Sequence, residues 1–578
     1  MQEEKWVQKY LYVDLSGQKW SERTTSVKKG VGGEALAYHL YALHQEDEPL
    51  CFALGTLSGS PLPCTNTLSL VGRSIATGRV EGESSSSLFS ASLATLPWRA
   101  IVLTGVGRRL MSLHISSRGV DFEVSERFLG MHLSQINQEL KGDASLAIGL
   151  AGEREVPLAS IFEGDHPLER WGFGALLGRK NVKALVVERG DVKREAVEVE
   201  KFALAMRRLE KAIARSPYLT TLANEGDLSL LEEGMKRGFC GVNNISLRSD
   251  PRLFHLTTSE MVRRYGPIQG YSEEFPSLCH RRIGTRRLPT FVEIMALGSN
   301  LGNFEGEVVF ELIDEATELG LNPISTGVLL GWIMAARQEV PSDNPFKVKF
   351  GRTRELVELV RAIGEGRHGG EELSKGVAYL EKTYLQIDKQ EKISSHVNGR
   401  EMLPIDPRGA WMMGLFMALG YDQPPVGEIL LQYLPNCSLF SKAEWAVVEE
   451  NLWATSNSIG LSKSLFVPLF FERSWFPFKQ LFLRHPVTAY RWVSTKLIRS
   501  LLGSYLGVKV SLKELINIGR ESLSIKESLN GSTIPPLPQR FTINAFSNHP
   551  KGRVIPFHKL VERYQFLRAL DLAKYRRG

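Results

Sequence analysis

The pattern of apolar residues changes near residue 190, and this change constrains the fold more than any single motif does. Before it, short apolar runs, several of them β-branched, are bounded by Gly, Ser or Asp: Tyr10–Leu15, Leu50–Ala53, Ala100–Thr104, Ser145–Gly149 and Val182–Glu188. After it, the spacing is helical over Lys201–Ala214, Val308–Glu318, Gly327–Gln338, Arg354–Ile363 and Val510–Gly519. The mixed acidic and basic stretch between the two regions, Arg189–Lys201, is typical of a linker. A β-rich first third followed by two helical thirds predicts an α+β, multidomain protein.

Composition excludes several classes of protein. The chain has 578 residues, which is enough for about three or four domains. Its 71 basic and 64 acidic residues leave only a mild positive charge, so nucleic acid is not an expected partner. The first residues lack the apolar core of a signal peptide, and no window of about 18 uncharged apolar residues predicts a transmembrane helix. The five cysteines contain no C-x-x-C pair, so we expect a reduced, cytoplasmic protein without a disulfide framework.

A glycine-rich segment, Arg170–Gly178, precedes the last predicted strand of the first region. Its small residues would let backbone N–H groups approach an anion, and Arg170 would add positive charge. A tight packing turn explains the same glycines, and the residues alone favour that simpler interpretation.

Two further short motifs also have two interpretations each. The sequence Asp406-Pro407-Arg408-Gly409 predicts a rigid turn whose Asp and Arg either pair with each other or face a polar ligand. The neighbours Cys279 and His280 suggest a nucleophile or a metal ligand, although a buried cysteine beside a surface histidine is the simpler interpretation. The sequence contains no metalloprotease, serine-hydrolase or Walker motif.

Residues 463–499 combine seven basic residues and one acid with many aromatic side chains. Such a surface could contact an anionic lipid or an acidic partner. Pro468, Pro477 and Pro486 interrupt any single long amphipathic helix, and a helical core with a solvated basic rim is the simpler interpretation.

Eight segments of the chain together carry a family resemblance. They are YLYVDLSG and GVGG near the N-terminus, FALGTLSG at 52–59, GLAGE at 149–153, RWGFGALLGRKNVKALVV at 170–187, ALGSNLG at 296–302, GLNPISTGV at 320–328 and LPIDPRGAWMMGL at 403–415. In their order along the chain, from about residue 8 to about residue 570, they resemble the aldehyde ferredoxin oxidoreductase family of tungsten-pterin enzymes. Each segment alone is a weak motif, and their colinearity makes the resemblance specific.

The resemblance implies a fold and an activity. The fold is a β-rich N-terminal domain of two sheets at residues 1–195, followed by two mainly helical domains at residues 200–395 and 396–578. In this family the first domain holds a tungsten- or molybdenum-bis-pterin from one side, the helical domains close over it, and a four-iron cluster lies beside it. The family reaction oxidises an aldehyde to a carboxylic acid and passes the electrons through the cluster to ferredoxin.

The same resemblance assigns cofactor-binding residues. They are Arg170, Gly172 and Gly174 on the phosphate side, Asn322 and Asn457 where the family has aspartates, and the Asp406 and Arg408 of LPIDPRG. A carboxylate accepts hydrogen bonds from pterin N–H groups at two points, whereas an amide offers one acceptor and one donor, so we expect weaker binding by the two asparagines. The family's N-S-G-G-Y-F-G loop near the pterin phosphates corresponds to Ser84–Ser90, which contains no glycine.

The cluster and catalytic positions depart further from the family pattern. The family's C-x-x-C-P-x-x-C segment corresponds to Ser272–Cys279, where Cys279 is the only matching cluster ligand, and Ser462 stands in place of the fourth cysteine. One thiolate of four cannot hold a four-iron cluster, so we predict that the cluster is absent. The family's P-E-Y-E corresponds to Pro289–Val292, with Glu293 displaced by one position, and no catalytic residue is assigned.

Three hypotheses follow for the function. The favoured one is a degenerate member of the family that serves as a scaffold or accessory subunit, paired with a redox partner or an active paralogue. The second is altered redox chemistry with a pterin or another cofactor but no cluster, and the third is the intact family reaction. A homo-oligomer is left open.

Overall fold

The computed structural model describes residues 5–270, 281–339, 348–352, 354–430, 434–465, 467–472, 493–543 and 554–576. Within them, the predicted change from strands to helices near residue 190 is confirmed. Residues 5–187 contain two six-stranded sheets, and the remainder of the described chain is mainly helical. No helix in the described ranges is long and apolar enough to cross a membrane.

Both large sheets are mixed. The first has the strand order β2-β1-β6-β3-β4-β5 and the second β11-β10-β9-β12-β7-β8; in the first β1 and β6 are parallel, and in the second β7 and β12 are parallel. Their strands are β1 Lys5–Asp14, β2 Lys19–Lys28, β3 Leu50–Leu54, β4 Thr67–Arg73, β5 Val80–Ser86, β6 Ala100–Thr104, β7 Met111–Ser116, β8 Gly119–Val124, β9 Ala144–Ala147, β10 Phe162–Glu163, β11 His166–Pro167 and β12 Val182–Val187. Two small sheets follow, made of β13 Ile268–Gln269, β14 Arg282–Ile283 and β15 Arg286–Arg287, and of β16 His396–Val397 and β17 Arg400–Glu401.

The helices follow in chain order. Those up to residue 265 are α1 Gly33–Leu43, α2 Leu88–Leu93, α3 Leu133–Glu139, α4 Leu150–Glu153, α5 Phe173–Arg179, α6 Val199–Ala214, α7 Pro217–Glu225, α8 Ser229–Arg237 and α9 Thr258–Tyr265. The later ones are α10 Phe291–Leu297, α11 Gly306–Leu319, α12 Pro323–Glu339, α13 Arg354–Glu365, α14 Gly370–Leu373, α15 Val377–Tyr384, α16 Ile387–Ile393, α17 Trp411–Leu419, α18 Lys442–Ile459, α19 Lys496–Leu506, α20 Leu512–Asn530, α21 Gln539–Thr542 and α22 Phe557–Arg576. Two π-helical turns lie at Val426–Leu430 and Val467–Glu472.

Local sequence explains where the long helices begin and end. Helix α20 starts with a capping box, in which the Ser511 hydroxyl accepts from the Glu514 N–H and the Glu514 carboxylate accepts from the Ser511 N–H. Helix α18 ends at Ile459 and is followed by Gly460, whose φ of 89° lies in the left-handed region that glycine adopts without strain.

The first region and the C-terminal helices are joined by close backbone contact. The N–H groups of Thr56 and Leu57 donate to the carbonyls of Ser458 and Ile459 at the end of α18. A Cβ on Gly55 would overlap the backbone of Gly460, so glycine is required at this crossing. The FALGTLSG segment therefore holds the first region against the last turn of α18.

Candidate functional site

A cleft of about 460 Å³ lies between the first region and the C-terminal helices. Its walls are the turn at residues 77–81, the β16–β17 hairpin, the end of α17 with residues 420–422, and the facing sides of α20 and α22. Residues 420–422 and Lys526 also line a smaller cavity of about 50 Å³, which contains Asn457. Beyond it, a cavity of about 260 Å³ is lined by Ser85, Ser86 and Ser462. The three cavities adjoin one another along the seam between the two regions.

Several charged side chains along this seam form ion pairs. Lys526 contacts Glu81 at 2.8 Å, and Lys463 contacts Glu83. Asp422 lies between two arginines: Arg170 donates to it at 2.9 Å, and Arg400 forms a second ion pair with it. The Arg400 guanidinium also stacks on the Trp171 ring, with its carbon 3.7 Å from the ring centroid.

Arg170 is buried and engaged within the chain. Besides Asp422, it donates to the Ser325 hydroxyl and to the Glu401 carbonyl. Burial lowers the pKa of Arg170, and the Asp422 carboxylate partly opposes that effect. The arginine that the sequence assigned to a phosphate therefore already has a carboxylate partner.

Gly172 and Gly174 pack α5 against the preceding loop. Gly172 has a φ of 73°, and a Cβ there would lie 2.7 Å from the Pro157 carbonyl oxygen. A Cβ on Gly174 would overlap the Ser160 carbonyl. The packing-turn interpretation accounts for both glycines.

The backbone N–H groups of this glycine-rich turn bind a carboxylate of the chain itself. Glu169 accepts from the N–H groups of Ile161, Trp171 and Phe173 at 2.9, 2.6 and 3.3 Å. Burial raises the pKa of Glu169 to about 7, although these hydrogen bonds act in the opposite direction. Sequence reasoning missed Glu169, and the available signal was a lone acid directly before Arg170.

A second internal carboxylate binds the segment that the resemblance aligned with the family's glycine loop. Ser84 to Ser86 lie in β5, and Ser87 caps helix α2. Glu163 accepts from the Ser87 hydroxyl and from the N–H groups of Leu88 and Phe89, at distances of 2.6 to 3.0 Å. Burial raises the pKa of Glu163.

Asn322 uses its whole hydrogen-bonding capacity inside the protein. Its side-chain oxygen accepts from the N–H groups of Ile324 and Ser325 at the start of α12, and its nitrogen donates to the Ser160 hydroxyl and the Glu169 carbonyl. An amide has two donor hydrogens and two acceptor lone pairs, so all four positions are filled.

Asn457 lies in the last turn of α18 and lines the smaller cavity. Its side-chain nitrogen donates to Glu34 at 2.6 Å, and Ser522 donates to the other Glu34 oxygen at 3.1 Å. Burial raises the pKa of Glu34. The sequence predicted Asn457 but missed Glu34, which directly follows the GVGG segment.

Asp406 and Arg408 form a buried local ion pair at 2.8 Å. Asp406 also accepts from the Arg408 N–H, and Arg408 donates to the Ile245 carbonyl. Neither residue lines the cleft or the two cavities that adjoin it. This arrangement corresponds to the structural turn that the sequence offered as the simpler interpretation.

Glu293 and Ser462, at positions where the sequence departs from the family's catalytic and cluster patterns, are engaged within the chain. Glu293 completes a capping box with Thr290 and pairs with Arg287 at 2.7 Å, and both charged residues are buried. Ser462 accepts a hydrogen bond from Ser86. Cys279 and the rest of the Ser272–Cys279 segment lie outside the described residues. Within the described ranges, no group of three or more His, Cys, Asp or Glu side chains is arranged to hold a metal ion.

Comparison with protein families decides the ancestry of the chain. Residues 10–189 match the model of the aldehyde ferredoxin oxidoreductase N-terminal domain, and residues 205–572 match that of domains 2 and 3. The chain belongs to the aldehyde ferredoxin oxidoreductase family. The prediction of the family from colinear segments is thereby confirmed.

The similar proteins of this family are distant. The tungsten-containing aldehyde ferredoxin oxidoreductase of Pyrococcus furiosus is 24% identical, over 96% of this chain and 94% of that protein. The enzyme of the same name from Thermococcus kodakarensis is also 24% identical, over 94% and 92% of the two chains. The aliphatic sulfonate oxidoreductase, WOR-like subunit, of Pyrococcus furiosus is 24% identical over 68% of this chain and 70% of its own.

A solved structure supports the fold. A chain of the active site complex BamBC of benzoyl coenzyme A reductase, in complex with 1,5-dienoyl-CoA, aligns with a TM-score of 0.73. The alignment covers 97% of this chain and 94% of the other, at 15% sequence identity. At this identity the likeness concerns the fold alone.

The family's bis-pterin can be tested against these groups. A bound pterin needs hydrogen-bonding atoms that face it, and its phosphates need N–H donors or free cations. In this chain Asn322 is saturated, the N–H groups of both assigned phosphate segments bind Glu163 and Glu169, and Arg170 is paired with Asp422. The described arrangement does not fit a bis-pterin held through these groups.

Proposed function

We propose that this chain is a scaffold or accessory subunit of the aldehyde ferredoxin oxidoreductase family that works without the four-iron cluster and without the family's pterin site. It would act by holding a partner, either a redox protein or an active paralogue. The observation that supports the proposal is that two internal carboxylates, Glu163 and Glu169, bind backbone N–H groups of the two segments that the resemblance assigned to cofactor phosphates.

The physical argument is competition for hydrogen-bond donors. A phosphate placed at either segment would meet N–H groups that already donate to Glu163 or Glu169, and each of these carboxyl groups, when ionised, would also repel it. Displacing the carboxylate would leave it buried and unpaired, which costs several kcal/mol. The internal hydrogen bonds of the folded chain therefore compete with binding of an anionic cofactor at both segments.

The cluster positions support the same proposal. Cys279 is the only cysteine at the four positions where the family has cluster ligands, and Ser462 stands at the fourth position. Iron in a four-iron cluster needs four thiolates or comparable ligands. A serine hydroxyl engaged with Ser86 is a poor substitute.

The test is metal analysis of the full chain purified anaerobically from its native host. We expect tungsten, molybdenum and iron each well below one atom per chain, together with a stoichiometric protein partner. Tungsten or molybdenum at one atom per chain with about four irons would refute the proposal, because that is the content of an intact family enzyme. A tungsten-containing family enzyme purified in parallel serves as the positive control for metal retention.

A second candidate function is pterin-dependent oxidation of an aldehyde to a carboxylic acid, with electrons passed to ferredoxin or to a partner subunit. The observation that favours it is the 460 Å³ cleft at the seam between the first region and the helical part. Tungsten or molybdenum without iron would support this candidate in its altered form, in which the partner removes the electrons.

A further inference from the structure

Helix α6 carries a row of cations with no ion-pair partner in the described part of the chain. Arg208 and Lys211 lie in α6, and Arg215 directly follows its last residue; their spacing of three and four residues places them along one side of the helix and its end. All three are exposed. Lys201, which lies nearer the start of α6, forms an ion pair with Glu198 at 2.7 Å and is not counted in this row.

The row faces a groove. Arg208, Lys211 and Arg215 line a space of about 500 Å³ whose other wall is formed by Pro217, Pro468 and Glu472. Glu472 is the acid in this groove, and its carboxylate accepts from the Tyr218 N–H at 2.9 Å. Among the described residues that line the groove, the three cations therefore outnumber the single acid, which is already hydrogen-bonded.

The same side of α6 also exposes an apolar residue. Leu204 lies four residues before Arg208 and is 48% exposed. An apolar contact beside a row of cations is typical of a protein interface, where it adds affinity while the charges set specificity and approach.

We propose that this face of α6 is a docking surface for an acidic segment of a protein partner. The proposal rests on the proposed function, since it gives the chemistry of the partner that the subunit would hold. The groove favours a protruding protein segment over a membrane, because a segment can enter the groove and contact the cations that line it, whereas a bilayer presents a flat surface. The mild net charge of the chain, +7, favours a local acidic contact over a nucleic acid.

Two full-length variants test the surface. The first carries Arg208→Glu, Lys211→Glu and Arg215→Glu. The control carries Arg108→Glu, Arg118→Glu and Lys141→Glu, three exposed cations of the first region. Both lower the formal net charge from +7 to +1, so a difference between them reports the location of the charges. All six side chains are exposed, so both variants are expected to fold; the corresponding Gln variants replace either one if its thermal unfolding temperature falls.

The measurement is recovery of the protein partner from the native host at 50 mM salt, followed by zero-length carbodiimide cross-linking, which joins amines to carboxylates. We expect the wild type and the control to retain the partner, the α6 variant to retain at least ten-fold less, and Lys211 to be cross-linked to an Asp or Glu of the partner. Recovery by the wild type should also fall as salt is raised to 300 mM.

Four outcomes would overturn the proposal: equal recovery by the α6 variant, equal loss by the control, partner cross-links only through other lysines, and a wild type that purifies without a partner. Binding to phosphatidylglycerol vesicles that depends on α6, with no protein partner, would identify a lipid surface and also overturn it. Metal content measured on the same samples separates the two proposals, because stoichiometric tungsten refutes the scaffold function whatever the α6 charges do.

Discussion

Replacement of Glu169 tests whether an internal carboxylate has taken over the glycine-rich turn before α5. Glu169→Ala removes the acceptor of three buried backbone N–H groups, those of Ile161, Trp171 and Phe173. Glu169→Gln keeps the shape and one acceptor oxygen but removes the titratable group. Glu195→Gln, at an exposed position in the stretch before α6, is the matched control.

The expected magnitude follows from the cost of unsatisfied donors. A buried N–H group without a partner costs about 1–3 kcal/mol, so loss of three acceptor contacts should destabilise Glu169→Ala by at least about 3 kcal/mol. Glu169→Gln should lose about 2 kcal/mol, because its amide nitrogen faces N–H donors. The control should change the free energy of unfolding by less than about 0.5 kcal/mol.

The pH dependence gives an independent readout. The pKa of Glu169 is raised to about 7 in the folded chain, so the folded state holds a proton that the unfolded chain releases above its ordinary pKa. The stabilisation by this protonated group is complete below the unfolded pKa and is lost as the pH rises to about 7. The deficit of Glu169→Gln relative to wild type should therefore shrink by about 2–3 kcal/mol between pH 5 and pH 8.

The assay is urea unfolding of the full-length variants at pH 5 and pH 8, followed by intrinsic tryptophan fluorescence. A Glu169→Ala variant within about 1 kcal/mol of the control at both pH values would refute the reasoning. In that case the N–H groups would be satisfied in another way, and the main support for the scaffold proposal would be lost.

Three other substitutions have defined outcomes. Asp422→Asn leaves two buried arginines without their shared carboxylate and should cost about 3–5 kcal/mol in thermal unfolding; a loss under about 1 kcal/mol would contradict the pairing. Gly55→Ala places a methyl group against the Gly460 backbone and should cost about 1–3 kcal/mol or more, with faster hydrogen exchange at the end of α18; unchanged exchange would count against this crossing. Burial alone would raise the pKa of Glu293, but the Arg287 guanidinium outweighs it and lowers that pKa, so the stabilisation is present near neutral pH and lost in acid. Glu293→Gln should therefore destabilise the chain at pH 7 and lose less stability than wild type when the pH falls below 4. The measurement is acid unfolding of both proteins, and parallel curves would contradict this prediction.

The sequence alone predicted much of the fold. The helix expected at Lys201–Ala214 is observed at Val199–Ala214, and the strand expected at Val182–Glu188 at Val182–Val187. These predictions succeed because apolar periodicity reports which backbone geometry buries one face of a segment. The family was equally accessible, because it depends on the order of short segments along the chain. The domain boundaries at 195–200 and 395–396 and the loss of the cluster remain predictions.

The candidate site was only partly accessible. The sequence named Arg170, Asn322 and Asn457, but it gave no sign that each already has partners inside the protein. For Asp406 and Arg408 it offered the local ion pair as the simpler interpretation, since only Pro407 separates the two residues.

The fold was easier to predict from the sequence than the candidate site, and this difference has a physical cause. Local patterns determine backbone conformation and the buried face of each element, and both are properties of a few neighbouring residues. The contacts of the candidate site join residues that are far apart in the sequence. Arg170 and Asp422 are 252 positions apart, Glu34 and Asn457 are 423 apart, and Glu163 is 74–76 positions from its partners at the start of α2. Whether a donor is free for a ligand or consumed by a carboxylate depends on which distant segments meet, and only the tertiary structure decides that.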